Sequence, residues 1–286
     1  MTETEKQDKF TFQIVYLVPI LASLIFGLGC AYLLVPQQME IPIAPVSEST
    51  PGAPFGNALY FVVLIALSAT MFYVLIKRRS KKIIKGLIIV AMTTASLLLS
   101  LIYLSTIFSY IPDWSILVIP LSIVITVLFD LAIFRFGSLA RNIAVVGVGG
   151  ALGIFFGKFI PLDSAALILA FLAIYDVIAV YRGPVGKIAQ SGSGLDELQG
   201  LSFSFKDIQM GLGDLVFYSM LTGVIFFNFS SIFPTIAAII GILAGSIITF
   251  YMLERKGIFP GLPFPIMLGL AGGLVTGFLI LPLFHL

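Results

Sequence analysis

The chain has 286 residues, 59% of them hydrophobic and only 10% charged, with a net charge of +2. An ordinary soluble domain carries about 25% charged and 45–50% apolar residues, so this composition excludes a water-soluble globular enzyme, a disordered chain and a nucleic-acid-binding protein. A single Cys and a single His, His285, exclude a disulfide framework and leave too few ligands for a multi-Cys metal site.

Nine stretches reach the roughly 20 apolar residues that cross a bilayer as a helix. They are residues 14–35, 57–76, 86–108, 115–134, 142–160, 164–181, 209–228, 233–253 and 262–283. The runs are apolar all round and longer than the strands of a membrane barrel. The expected fold class is therefore an all-α polytopic membrane protein with nine transmembrane helices. Ahead of the first run, Glu3, Glu5 and Asp8 mix with Lys6 and Lys9, and no small-residue cleavage site follows. It reads as a retained first helix rather than a signal peptide. Residues 36–56 hold five prolines and no basic residue, and read as an irregular external loop. Residues 182–208 are polar, include Ser191-Gly192-Ser193-Gly194, and read as a flexible cytosolic loop. The spacings Gly149-Gly153-Gly157, Gly241-Gly245 and Gly269-Gly273-Gly277 predict helices that approach closely.

Basic residues set orientation. With nine spans, one side of the membrane collects 15 of the 16 Lys and Arg residues, including the cluster from Lys77 to Lys85. Only Lys158 falls on the other side. This predicts a cytosolic N-terminus and an external C-terminus.

Three acidic residues remain inside the spans: Asp130, Asp176 and Asp214. A carboxylate in a bilayer is costly and is a functional candidate by default. Asp176 precedes Arg182 by six residues and Asp214 follows Lys206 by eight. At about 1.5 Å per residue, the two lie roughly 9 Å and 12 Å from the cytosolic ends of consecutive antiparallel helices. Facing carboxylates share a proton, because like charges a few Å apart cannot both ionise. Such a pair supplies one acid and one base. Gly211 and Gly213 flank Leu212 just before Asp214 and predict a backbone that another segment approaches closely. Tyr175 precedes Asp176, and a Tyr near a membrane edge is usually an interfacial anchor. Asp130 lies five residues before Arg135 and reads as a structural polar contact. The last span begins at Phe259-Pro260-Gly261-Leu262-Pro263-Phe264-Pro265, whose prolines break regular hydrogen bonding near the depth of the two aspartates.

Tyr175-Asp176, Gly211-Leu212-Gly213-Asp214 and Pro260-Gly261-Leu262-Pro263 resemble, in order and in span, the YD, GxGD and PAL signatures of the presenilin and signal peptide peptidase family. The run from Gly211 to Ser219 is especially similar to presenilin, and the compact size resembles the archaeal homologues. One departure is Gly261, where the family signature has Ala. The resemblance implies a presenilin-like fold and an intramembrane aspartyl endopeptidase. Asp176 and Asp214 would be the catalytic dyad acting on a water, with Pro260, Leu262 and Pro263 framing the substrate. It implies no cofactor, no metal and no obligatory partner subunit. The partners would be transmembrane peptide or protein substrates and the lipid bilayer. The rival reading from the residues is a proton- or ion-coupled transporter using the same aspartates.

Overall fold

The computed structural model describes residues 11–36, 43–47, 49–182, 202–205, 208–229 and 231–280. Nine α-helices occur among the described residues. They are α1 (Val18–Leu34), α2 (Ala53–Lys77), α3 (Lys81–Phe108), α4 (Val118–Phe134), α5 (Ser138–Phe159), α6 (Leu162–Tyr181), α7 (Leu212–Asn228), α8 (Ile232–Lys256) and α9 (Pro263–Val275). The expected flexible segment 182–208 falls mostly outside the described residues, as does His285. Its end does not: Ser202–Phe205 forms strand β1, which pairs antiparallel with β2, Ile208–Gly211. The helix anticipated from residue 209 therefore starts only at Leu212, because the residues before it spend their backbone groups on the strand pair.

Seven helices are long and apolar enough to cross a membrane, and α7 and α9 are shorter apolar helices. Large apolar side chains such as Ile116, Leu139 and Phe233 project outward. That is the reverse of a soluble surface and the arrangement a lipid solvent requires. The boundaries have local causes. Pro54 and Pro263 sit in the first turns of α2 and α9, where a missing N–H leaves nothing unpaired. Gly257, at φ 74°, ends α8 and turns the chain into the proline segment before α9.

Two helix pairs dominate the packing, α5 against α7 and α8 against α9. Both use the predicted glycines. A Cβ at Gly157 would stand 2.7 Å from the Val224 nitrogen, and one at Gly153 would collide with the Val216 carbonyl oxygen. On α8, Gly241 and Gly245 press on Leu268 and on the Phe264–Pro265 backbone. Buried polar side chains fix the remaining seams. Ser23 of α1 meets Ser219 of α7 at 3.3 Å. Asn57 of α2 donates to Ser164 of α6 at 3.1 Å and binds both backbone groups of Val46. Lys158 lies 4.7 Å over the Phe227 ring.

Replacing Gly153 with Val should lower the thermal unfolding midpoint in detergent, by an overpacking cost of about 1–3 kcal/mol. Gly147→Ala, on the same helix, should leave it unchanged, because a Cβ there meets only Phe129 and Phe26 at 3.8 Å or more. Equal midpoints for the two variants would refute the close contact of α5 with α7.

Candidate active site

Three helix ends meet at the site. Asp176 is on the last turns of α6, Asp214 is in the first turn of α7, and Leu262 is the residue that opens α9. The Leu262 N–H donates to Asp176 Oδ2 at 2.9 Å. On the neighbouring residue, a Cβ built on Gly261 would stand 3.2 Å and 3.3 Å from the two carboxylate oxygens of Asp214. The dipeptide Gly261-Leu262 thus has Asp214 against one residue and Asp176 bonded to the next. The two carboxylates lie within range of each other's charge. Both are half-buried. Asp214 lies in the first turn of α7 and Asp176 accepts from the amide that opens α9, so each faces the partial positive charge of a helix N-terminus, its own for Asp214 and that of α9 for Asp176.

Tyr218 completes the frame, and sequence reasoning passed over it. It is buried, one turn beyond Asp214 on α7, and its hydroxyl donates to the Gly261 carbonyl at 2.9 Å. The signal was present: a Tyr four residues after an intramembrane Asp faces the same side of the helix, and a buried Tyr hydroxyl needs a partner.

The remaining residues fall into place unequally. Pro260 and Leu262 are buried, and Pro263 starts α9. Tyr175 is half-buried beside Asp176. Gly211 and Gly213 depart from the expected close backbone approach. A Cβ at Gly211 would meet nothing nearer than Asp214 Oδ2 at 3.7 Å, and one at Gly213 nothing nearer than Phe217 at 3.7 Å. Their lack of side chains instead leaves open a groove of about 430 Å³, where Gly211, Leu212 and Gly213 face Phe61, Leu172 and Val216. A second cavity of about 120 Å³ adjoins Asp214, Tyr218 and Gly261, with room for several waters. Asp130 stays apart, accepting from Thr93 Oγ1 at 2.7 Å across α3 and α4.

Residues 21–187 match the protein family described as signal-peptide peptidase, presenilin aspartyl protease. The match spans more than half of the chain, and the chain belongs to this family: it is an intramembrane aspartyl protease. The matched segment includes Asp176 and ends before Asp214. Two solved structures share the fold, both of a presenilin family intramembrane aspartate protease. The one in space group C222 superposes with a TM-score of 0.64 at 18% identity, covering 92% of this chain and 98% of that one. The one in space group P2 gives 0.62 at 19%, covering 90% and 94%. No curated protein matches the sequence.

Tyr218→Phe should lower proteolysis about 2- to 10-fold, the worth of one neutral hydrogen bond of about 0.5–1.5 kcal/mol. An unchanged rate would show that the Tyr218 bond does not hold Gly261 in place. Gly261→Ala should remain active, because the Asp214 carboxylate need move only a few tenths of an ångström. Gly261→Val should be inactive, and full activity in that variant would contradict the placement of Asp214 against Gly261.

Proposed function

We propose that this protease cuts the backbone of transmembrane segments with Asp176 and Asp214 as a water-activating dyad. The observation that supports the reading is the convergence of both carboxylates on Gly261-Leu262, with a water-sized cavity beside Asp214. The ionised carboxylate takes a proton from water, whose oxygen attacks the scissile carbonyl carbon. The protonated one donates to the carbonyl oxygen, giving a neutral tetrahedral diol. Collapse breaks the C–N bond, and the leaving nitrogen takes up the proton first removed from water. The two groups titrate as a pair, so the roles belong to the dyad rather than to either residue.

A helical substrate hides its carbonyls in its own hydrogen bonds, so it must be extended before it is cut. β2 runs directly into α7 and Asp214, and its pairing with β1 leaves a strand edge among the described residues. An extended peptide adds to such an edge by backbone hydrogen bonds. The apolar groove lined by Gly211, Leu212 and Gly213 then receives its side chains, and Pro260, Leu262 and Pro263 frame the cut bond. In this reading the N-terminus is cytosolic, the C-terminus is external, and the dyad opens toward the cytosolic side, as the basic residues direct. The reaction requires water alone, and no partner subunit enters it.

Purified protein with a reporter transmembrane peptide provides the test. Asp176→Ala and Asp214→Ala should each reduce cleavage at least about 100-fold. Wild-type cleavage in either variant would sink the dyad. Ion or solute flux through reconstituted protein that never cuts peptide would favour the transporter reading instead.

A further inference from the structure

A third cavity lies away from the aspartates. It has a volume of about 550 Å³ and runs between α1, α3, α4 and α5. On α3 its lining extends from Ser96 to Ile107, eleven residues or roughly 16 Å along the helix axis. The dyad cavity touches α1 at Ile20, whereas this slot touches it from Phe26 to Leu33. The two therefore occupy opposite ends of that helix.

Three features fix what fills the slot. First, roughly 16 Å is about half of the ~30 Å hydrocarbon core, the depth of a single leaflet. The slot parallels the helices and ends at Ile107, beside the α3–α4 connection. That connection exposes Tyr110 and Trp114, the residue types that settle at a membrane–water interface. Second, the space is kept open by glycines that no neighbouring backbone crowds. A Cβ at Gly29 would meet nothing within 4 Å, and one at Gly147 only the Phe129 and Phe26 rings at 3.8 Å and 3.9 Å. The other glycines of α5, by contrast, are jammed against a neighbouring helix: Gly149, Gly153 and Gly157 against α7, and Gly150 against the α1 backbone at Ser23 and Gly27. Third, the wall is almost all hydrocarbon: the Tyr103 hydroxyl is engaged by the Ala151 carbonyl at 2.9 Å, and the other polar lining groups are only the Cys30 thiol and the hydroxyls of Ser100 and Ser96, the last of them unpaired. The slot therefore presents hydrocarbon to its occupant.

We infer that this slot is a binding site for one acyl chain of a bilayer lipid, drawn from the leaflet opposite the aspartates. The chain lies along α5, on the face away from α7. A bound lipid thus buttresses the helix against which the Asp214-bearing helix packs.

The test uses full-length protein in nanodiscs containing phosphatidylcholine with a diazirine midway along one acyl chain. After irradiation, adducts are mapped by mass spectrometry. In wild-type protein, adducts on the slot residues of α1, α3 and α5 should saturate with lipid at one per chain. Labelling on the outward face of α2, around Leu64 and Leu67, should rise with the probe fraction without saturating. Gly147→Leu, which fills the slot, should reduce slot adducts at least 5-fold and leave α2 adducts unchanged. Gly29→Leu should do the same, and it covers the case in which the first variant does not fold. Slot adducts that track the α2 adducts, or that persist in a folded filling variant, would overturn the inference.

Discussion

The hydrogen bond from the Leu262 N–H to Asp176 is the contact on which the site depends. A helix that begins inside a membrane exposes its first amides where no lipid can pair them. α9 meets this in two ways. Pro263 and Pro265 remove donors outright, and Leu262 spends its amide on a carboxylate. The debt is mutual, since a carboxylate in that environment also lacks partners. The backbone break and the half-buried carboxylate each supply the partner the other lacks. Tyr218 extends the arrangement by donating to the carbonyl of the preceding residue, Gly261. The break is thereby pinned from α6 through Leu262 and from α7 through Gly261.

Around this point the helices divide their labour by side-chain size. α5, α7, α8 and α9 approach one another across glycine, so their backbones are nearly in contact and their relative heights are set to within a fraction of a turn. Where glycine meets no neighbour, space appears instead. Gly211 and Gly213 open the groove at the start of α7, and Gly29 and Gly147 open the slot at the other end. The same residue type closes one seam and opens another, depending on what lies opposite.

Much of this was legible in the sequence because a membrane simplifies the code. With lipid as solvent, nearly all charge is expelled from the spans, so Asp176 and Asp214 stood out, and the paired depths followed from counting residues to the nearest basic anchor. The packing glycines were legible for the same reason, as small residues recurring every four positions. What escaped was anything decided by the opposite wall. Whether a glycine is covered depends on another helix, and no described element of this chain lies close against Gly211 or Gly213. The β1–β2 pair was overlooked although Ser202-Phe203-Ser204-Phe205 alternates with the two-residue period of a strand, because four residues beside a Ser- and Gly-rich stretch were read as part of the loop. The Tyr218 bond needed the fold to bring residue 261 within reach, although the same-face spacing from Asp214 was already in the sequence.

The α8–α9 contact has a mechanical consequence. Gly241 and Gly245 seat directly on the backbone of α9 from Phe264 to Gly269. Sliding by one residue would replace each glycine at the contact with a side chain that cannot fit there. The two helices are therefore keyed like a ratchet and its pawl, free to swing as a unit but not to slip lengthwise. Gly257 forms the corner that joins the two. On its other side α9 is held to α6 through the amide of Leu262, a contact with no such keyed backbone.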